Sequence, residues 1–179
     1  VLATPGKGDA LVVFAHNLLT ESASRAGHTA LPAVIYTPEN EEDREADVLK
    51  DMMYARVRGE NRRPSVETLL HNLFPQQYIL HVHPAIVNGI TCSVEGAAAM
   101  KRLFPNAVWV DACKPGYILA LECKEKMDAY KAESGKNCNL LFLQNHGIFF
   151  AGETTEELDV LAEGTMAKLA AAVKEQPKM

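Results

Sequence analysis

The length, composition and charge of this chain exclude several classes of protein. Its 179 residues are enough for one domain with a continuous core, and its 47% hydrophobic and 23% charged residues are typical of globular proteins. A formal net charge of −5 argues against a nucleic-acid partner, because such a protein needs a basic face to neutralise phosphates. No apolar run approaches the roughly 20 residues of a membrane-spanning helix, so we expect no membrane partner either.

The four cysteines are dispersed along the sequence, at Cys92, Cys113, Cys123 and Cys138. None belongs to a C-x-x-C pair, and their spacing fits neither a zinc ribbon nor a redox motif. Such cysteines are typical of reduced thiols in a cytosolic protein rather than of a disulfide framework. The N-terminal residues also lack the charged and then apolar pattern of a secretory signal. Both observations favour a cytoplasmic location.

Short apolar runs predict strands in this sequence, and apolar residues three and four apart predict helices. In chain order these are strands 11–15 and 33–36, helix 41–58, helix 66–74 with Ser65 as its N-cap, strand 78–83, helix 93–104, strand 107–110, helix 115–133, strands 139–143 and 148–151, and a helix that runs from a capping box of Thr154 and Glu157 to about residue 174. No repeat or linker interrupts this order. The sequence therefore predicts one α/β or α+β domain over residues 1–179.

Two histidines stand two residues apart in the β-prone run YILHVH at residues 78–83. Side chains at positions i and i+2 of a strand point to the same face, so His81 and His83 can converge on one point. Leu80 and Val82 then face the core on the other side. Two imidazoles on a rigid strand are a usual beginning of a zinc or related metal site. A half-exposed surface pair is the alternative, which this pattern alone leaves open.

His146 is the best third ligand that the sequence offers, because the tripeptide Asn145-His146-Gly147 interrupts two apolar strand segments. Gly147 permits a backbone turn that would aim the imidazole, although His146 could also be an ordinary turn residue. Three histidines leave one position of a zinc ion open, which is typical of catalytic sites. The remaining histidines have weaker cases as ligands: His16, His28 and His71. For His71, on the predicted helix after Ser65, packing or support of a ligand is the favoured role rather than ligation.

Catalysis at such a site also needs a proton carrier, and Glu67 lies upstream of the first predicted ligand. Its local context at the start of a predicted helix favours a simpler role, in which the carboxylate interacts with the helix dipole. The residues alone therefore leave the function of Glu67 open.

Four segments in this order resemble the class II aldolase/adducin family: RPSVETLLHNLFP, YILHVHPAIVNGIT, KPGYILA and LLFLQNHGIFFAGET. The resemblance extends over residues 62–174. The combination of S-x-E, H-x-H-P and N-H-G at these distances is fairly specific. The family includes the aldolases that cleave fuculose 1-phosphate and rhamnulose 1-phosphate.

The resemblance implies that His81, His83 and His146 bind a divalent metal, usually Zn²⁺, with Mn²⁺, Co²⁺ and Fe²⁺ as alternatives. It also implies that Glu67 is the catalytic acid/base and that Ser65 contacts the substrate phosphate. The implied function is that of a metal-dependent aldolase, which cleaves a sugar phosphate or related ketose through a metal-stabilised enediolate. The implied fold is a three-layer α/β/α sandwich with a mostly antiparallel central sheet. The implied partners are a small sugar-derived substrate and further copies of the chain, in a homotetramer.

The sequence departs from the family pattern upstream of the acid/base motif. Members usually carry a G-N-x-S loop and an S-G element that hold the substrate phosphate, and neither occurs between residues 1 and 60. Either these elements lie outside the numbered chain, or the substrate is not bound there through a phosphate. A group of arginines could serve an anionic group instead, or form a solvated loop: Arg56, Arg58, Arg62 and Arg63.

Three alternatives to an aldolase remain within the family. The same metal site could support 4-epimerisation of a pentulose phosphate or dehydration of a sugar phosphate, with other proton donors. The third alternative is a non-enzymatic assembly domain like that of adducin. The intact histidine triplet argues against this last role, because an assembly domain does not need it.

Overall fold

The computed structural model describes residues 40–54 and 61–173, which divide into two compact units. The sheet unit contains residues 74–113 and 125–173. The helical unit contains residues 40–54, 61–73 and 114–124. Several predictions fall outside the described residues, namely strands 11–15 and 33–36, the last part of helix 41–58, and the side chains of His16, His28, Arg56 and Arg58.

A mixed sheet of four strands forms the centre of the sheet unit. Its strands are β1 (Tyr78–Val82), β2 (Val108–Val110), β3 (Leu140–Leu143) and β4 (Gly147–Gly152), in the spatial order β1-β4-β3-β2. β4 pairs antiparallel with both β1 and β3, whereas β2 and β3 are parallel. The mostly antiparallel sheet fits the predicted fold. Each of these four strands falls within two residues of its predicted bounds.

The described residues contain six helices. They are α1 (Glu41–Tyr54), α2 (Thr68–His71), α3 (Ala85–Thr91), α4 (Gly96–Leu103), α5 (Tyr117–Ser134) and α6 (Thr155–Ala172). No helix was predicted between residues 83 and 93, because a proline such as Pro84 interrupts the interior of a helix. Pro84 instead occupies the N-cap of α3 with φ −65° and ψ 139°, where the missing N–H of proline costs nothing. The predicted helix 93–104 begins later, at Gly96.

The helix predicted over residues 66–74 is shorter in the structure, and the prediction that Ser65 is its N-cap was wrong. Only Thr68–His71 is α-helical, and Glu67 is its N-cap residue. The Ser65 Oγ accepts the N–H of Glu67 at 3.2 Å, so it closes a local turn before the helix starts. At the other end, the N–H of Leu73 donates to the carbonyl oxygen of Leu70, three residues earlier. This hydrogen bond is of the 3₁₀ type, and the α-helix ends there.

The capping box at the start of α6 is confirmed. The Thr154 Oγ1 accepts the N–H of Glu157 at 3.2 Å. The Glu157 carboxylate in turn accepts the N–H of Glu153 at 2.8 Å, one residue earlier than in the usual box. Both bonds satisfy backbone donors at the turn that leads from β4 into the helix.

One face of the sheet carries the main core of the sheet unit. The residues buried there come from β3, β4 and helices α3, α4 and α6: Val87, Met100, Leu140, Phe142, Ile148, Phe150, Leu158 and Leu169. Leu80 and Val82 of β1 pack against this core, as the alternation of the strand predicted. The intervening residue His81 therefore points to the opposite face, where Phe74 and Phe149 stack with ring centroids 5.5 Å apart.

The helical unit is held together by contacts between α1 and the start of α5. The Glu45 carboxylate accepts the backbone N–H of Tyr117 at 3.2 Å, which satisfies a donor at the N-terminal end of α5. Glu41 forms an ion pair with Lys114, and this pair lowers the pKa of the Glu41 carboxyl. A cavity of about 50 Å³ lies beside these contacts, lined in part by Met52 and Arg63. It has room for a few water molecules but not for a sugar.

The cysteines differ in their exposure. Cys92 is exposed, Cys113 is intermediate, and Cys123 and Cys138 are buried. Burial raises the pKa of the Cys138 thiol to about 11, so this thiol stays protonated at neutral pH. Among the described helices, none has the length and apolar character that crossing a membrane requires.

Candidate metal centre

The strand β1 positions the first imidazole of the site, that of His81. Because His81 pairs in register with Phe149 of β4, the two rings stack with centroids 3.9 Å apart. The Nδ1 of His81 lies 2.9 Å from the carbonyl oxygen of Ile148. A carbonyl oxygen can only accept a hydrogen bond, so Nδ1 carries the proton and Nε2 carries the lone pair of the neutral ring. The orientation and the tautomer of His81 are thus both suited to a metal ligand.

His83 follows the end of β1 and is exposed, whereas His81 is half-buried. Its Nε2 lies 2.8 Å from the Nε2 of His81, and the two ring centroids are 4.6 Å apart. The two imidazoles therefore converge as the H-x-H spacing predicted. In a tetrahedral zinc site with Zn–N bonds of about 2.0–2.1 Å, ligand nitrogens are roughly 3.4 Å apart, so a shift of about half an ångström would accommodate the ion.

The turn between β3 and β4 supplies the third imidazole, that of His146. Its ring centroid lies 5.3 Å from that of His81 and 4.8 Å from that of His83. One ring nitrogen from each of the three histidines lies within 4.8 Å of those of the other two. The antiparallel pairing of β1 with β4 produces this cluster. Val82, the last residue of β1, lies opposite Ile148, and the turn that carries His146 enters β4 at Gly147, directly before Ile148. The sequence suggested the three residues, and the structure brings them together.

The conformation of this turn depends on Asn145 rather than on Gly147. Asn145 has φ 59°, in the left-handed region that asparagine tolerates better than most residues. Gly147 is needed for a different reason, which is space. A Cβ at this position would lie 2.3 Å from Cδ2 of His83 and 2.7 Å from the carbonyl oxygen of Val82. The prediction that Gly147 supplies the turn was therefore wrong, and its role is to allow the turn to approach β1.

We expect Gly147→Ala to weaken metal binding by more than about tenfold and to cost about 1–3 kcal/mol in the free energy of unfolding. The new methyl group would push His83 away from its partners, and the backbone oxygen of Val82 cannot move aside cheaply. Zinc titration and thermal unfolding of the variant measure the two effects. Gly164→Ala is the matched control, because a Cβ there has no neighbour within 4 Å. Unchanged zinc affinity in Gly147→Ala would contradict this account of the site.

The donor set fits a divalent transition metal. Three imidazoles are suitable ligands for zinc, and three protein ligands leave a coordination position for a substrate. Contacts with the Ile148 carbonyl and the Phe149 ring fix His81. The absence of a side chain at Gly147 lets the turn that carries His146 lie close to His83. These histidines could therefore hold a metal ion. That these three histidines bind a metal ion is a prediction.

Ser65 and Glu67 belong to the helical unit, at the turn that leads into α2. Glu67 is half-buried and Ser65 is exposed. Their assigned roles, substrate contact and acid/base catalysis, remain predictions. His71 is 4% exposed within the same unit, in keeping with the packing role expected of it.

Comparison with known proteins identifies the family. The sequence profile of the Class II Aldolase and Adducin N-terminal domain matches residues 39–169. The uncharacterized oxidoreductase YuxG of Bacillus subtilis strain 168 is 30% identical over 106 residues, which cover 59% of this chain and 15% of that protein. This chain therefore spans only a small part of the length of that curated relative.

Solved structures similar to this chain include one from Thermoplasma acidophilum and one from Pseudomonas syringae. The N-terminal class II aldolase domain of a conserved protein from Thermoplasma acidophilum matches with a TM-score of 0.65 and 21% identity, over 87% of this chain and 64% of that chain. This likeness shows a shared fold. An aldolase II superfamily protein from Pseudomonas syringae matches with a TM-score of 0.42 and 14% identity, over 60% of this chain and 43% of that chain.

The fold and the histidine cluster define an α/β domain with a potential metal site at one end of its sheet. The profile match covers most of the chain, and it includes all three histidines. The chain belongs to the class II aldolase/adducin family, which confirms the resemblance of its motifs.

Proposed function

We propose that this chain is a metal-dependent aldolase that cleaves a sugar phosphate or related ketose into a ketone fragment and an aldehyde. The observation that carries the proposal is the convergence of His81, His83 and His146 within 4.8 Å, in a domain of this family. An assembly domain would not need three imidazoles aimed at one point, with the tautomer of one fixed by a backbone carbonyl.

Each residue of the site has a distinct role in this proposal. The three histidines hold the divalent cation, with Zn²⁺ first and Mn²⁺, Co²⁺ or Fe²⁺ as alternatives. When bound, the cation stabilises the negative charge that develops on substrate oxygen. Ser65 contacts the phosphate or an equivalent polar group. Glu67 accepts the hydroxyl proton as the carbon–carbon bond breaks, and the electron pair of that bond remains on the ketone fragment until it is protonated.

The proposal also includes three features of the family that concern its architecture and assembly. These are a three-layer α/β/α arrangement, a homotetramer and a site near the subunit interface. The family membership supports them. Sedimentation of the purified protein tests the assembly, and a monomer at all concentrations would argue against the interfacial site.

The experiment that tests the function is a cleavage assay on metal-loaded protein. We expect ketose 1-phosphates to release an aldehyde together with dihydroxyacetone phosphate, and chelation of the metal to abolish the release. Unphosphorylated ketoses assayed in parallel determine whether a phosphate is required. A His146→Ala variant, which lacks one proposed ligand, is the inactive control.

The products distinguish the alternatives. An epimerase would convert one pentulose phosphate into another without releasing an aldehyde, and a dehydratase would release water and retain all carbon atoms in one product. Either result would replace the aldolase and keep the metal site. Absence of bound metal after reconstitution would instead favour an assembly domain like that of adducin.

A further inference from the structure

The side chain of Gln144 links the histidine turn to the neighbouring strand. Gln144 is the first residue of the turn between β3 and β4, and its side chain is half-buried. Its Oε1 accepts the backbone N–H of Ala112 at 3.0 Å. Its own backbone N–H donates to the carbonyl oxygen of Val110 at 2.9 Å. The turn is therefore tied at two points to the segment that follows β2.

This segment is a firm attachment point. Val110 ends β2 and is 1% exposed, so its backbone is fixed by the core of the sheet unit. Asp111 lies between the two residues that Gln144 contacts, and its carboxylate accepts the indole N–H of Trp109 at 2.9 Å. A bond to Ala112 thus joins the turn to a segment that is itself restrained.

The opposite end of the turn carries the proposed ligand His146. The backbone N–H of His146 bonds to the Leu143 carbonyl at 3.2 Å, and Asn145 holds a left-handed conformation that is uncommon outside glycine. A strained turn persists when surrounding contacts determine it. The Gln144 side chain provides such a contact two residues before the proposed ligand.

We propose that Gln144 is a positioning residue, which fixes the turn that carries His146 and thereby sets the affinity of the site for a divalent cation. This inference rests on the proposed function for the presence of the cation, but not for the identity of the substrate. Groups that orient metal ligands typically contribute a factor of about 10–100 to metal affinity. The proposal assigns such a contribution to a side chain that does not itself reach the metal.

The role of Gln144 depends on one oxygen atom, so two substitutions separate it from simple packing. Gln144→Leu has a similar size but no acceptor for the Ala112 N–H. Gln144→Glu keeps an acceptor oxygen at the same distance along the side chain. We expect the leucine variant to lose the tie to Ala112 and the glutamate variant to restore it.

The matched control is Gln76→Leu, in the same unit but at the other end of the sheet. Gln76 precedes β1, is 7% exposed, and donates its Nε2 to the Cys138 carbonyl at 2.9 Å. Its loss also removes one hydrogen bond between a glutamine side chain and the backbone, although here the side chain is the donor. The substitution can lower thermal stability, but it should leave metal affinity unchanged.

The test is titration of each purified variant with Co²⁺, followed by visible absorption and by competition with a chelator. We expect Gln144→Leu to raise the Kd about tenfold, Gln144→Glu to stay within about threefold of wild type, and Gln76→Leu to match wild type. Amide hydrogen exchange of the metal-free proteins provides a second readout. Ala112 should lose protection in Gln144→Leu and regain it in Gln144→Glu.

The outcomes separate this inference from the proposed function. Wild-type protein that binds Co²⁺, with Gln144→Leu of equal affinity, would overturn the role of Gln144 alone. Wild-type protein that binds no Co²⁺ would overturn the proposed function and this role with it. If Gln144→Leu does not fold, the Gln144→Glu variant tests the role of Gln144 instead. A tenfold higher Kd for Co²⁺ in that variant would also overturn the proposal.

Discussion

Replacing His83 by alanine should abolish tight metal binding while leaving the fold intact. His83 is exposed and follows the last residue of β1, so the substitution removes little buried surface. It does remove one of three converging imidazoles, whose Nε2 lies 2.8 Å from that of His81. Loss of a ligand should cost more than loss of a group that orients one, so we expect at least about 100-fold weaker binding. Elemental analysis after dialysis measures the metal content per chain.

The comparison needs a histidine outside the cluster. His71→Gln removes an imidazole of the helical unit and should leave the metal content at about one ion per chain. Circular dichroism and thermal unfolding of both variants show whether each is folded. A folded His83→Ala protein with the wild-type metal content and affinity would remove His83 from the ligand set, and the aldolase proposal would then lose its main support.

Replacing Glu67 by glutamine should abolish turnover without loss of metal. Glutamine has nearly the same shape as glutamate, but its amide cannot accept and return a proton. General acid/base catalysis typically contributes a factor of 10²–10⁴, so we expect kcat to fall by about this amount. Steady-state kinetics with the best ketose substrate and metal analysis of the same sample provide the two measurements.

Glu163→Gln is the matched control for this experiment. It causes the same change of charge at an exposed position of α6 and should leave kcat unchanged. If Glu67→Gln retains wild-type kcat, another group carries the proton. In that case the local interpretation of Glu67, as an acidic residue at the start of α2, would be sufficient.

Local physical rules determined a large part of this protein. The period of two in YILHVH predicted that His81 and His83 share a face and that Leu80 and Val82 face the core, as the structure shows. The apolar runs predicted four strands close to their observed bounds, and the capping box predicted the start of α6. These features depend on a residue and its near neighbours, so the sequence alone was sufficient for them. The motifs likewise identified the family, which the profile match confirms.

Local patterns failed where two signals competed. Apolar spacing over residues 66–74 favoured a longer helix, but the Ser65 hydroxyl and the Leu73 N–H make turn hydrogen bonds that limit α2 to Thr68–His71. No helix was predicted directly after strand 78–83, because proline interrupts the interior of a helix, but Pro84 lies at the N-terminal end of α3, where proline is tolerated. The spacing of residue types alone therefore determines neither the length of α2 nor the presence of α3.

Only the tertiary structure determined how the third histidine joins the other two. The antiparallel pairing of β1 with β4 places Val82 opposite Ile148, and this register brings the turn of His146 to the end of β1. The same pairing gives His81 its Ile148 carbonyl and its Phe149 ring, and it makes any side chain at Gly147 collide with His83. The tie from Gln144 to Ala112 likewise joins residues 32 positions apart. Strand register is set by long-range packing, which a pattern of neighbouring residues does not encode.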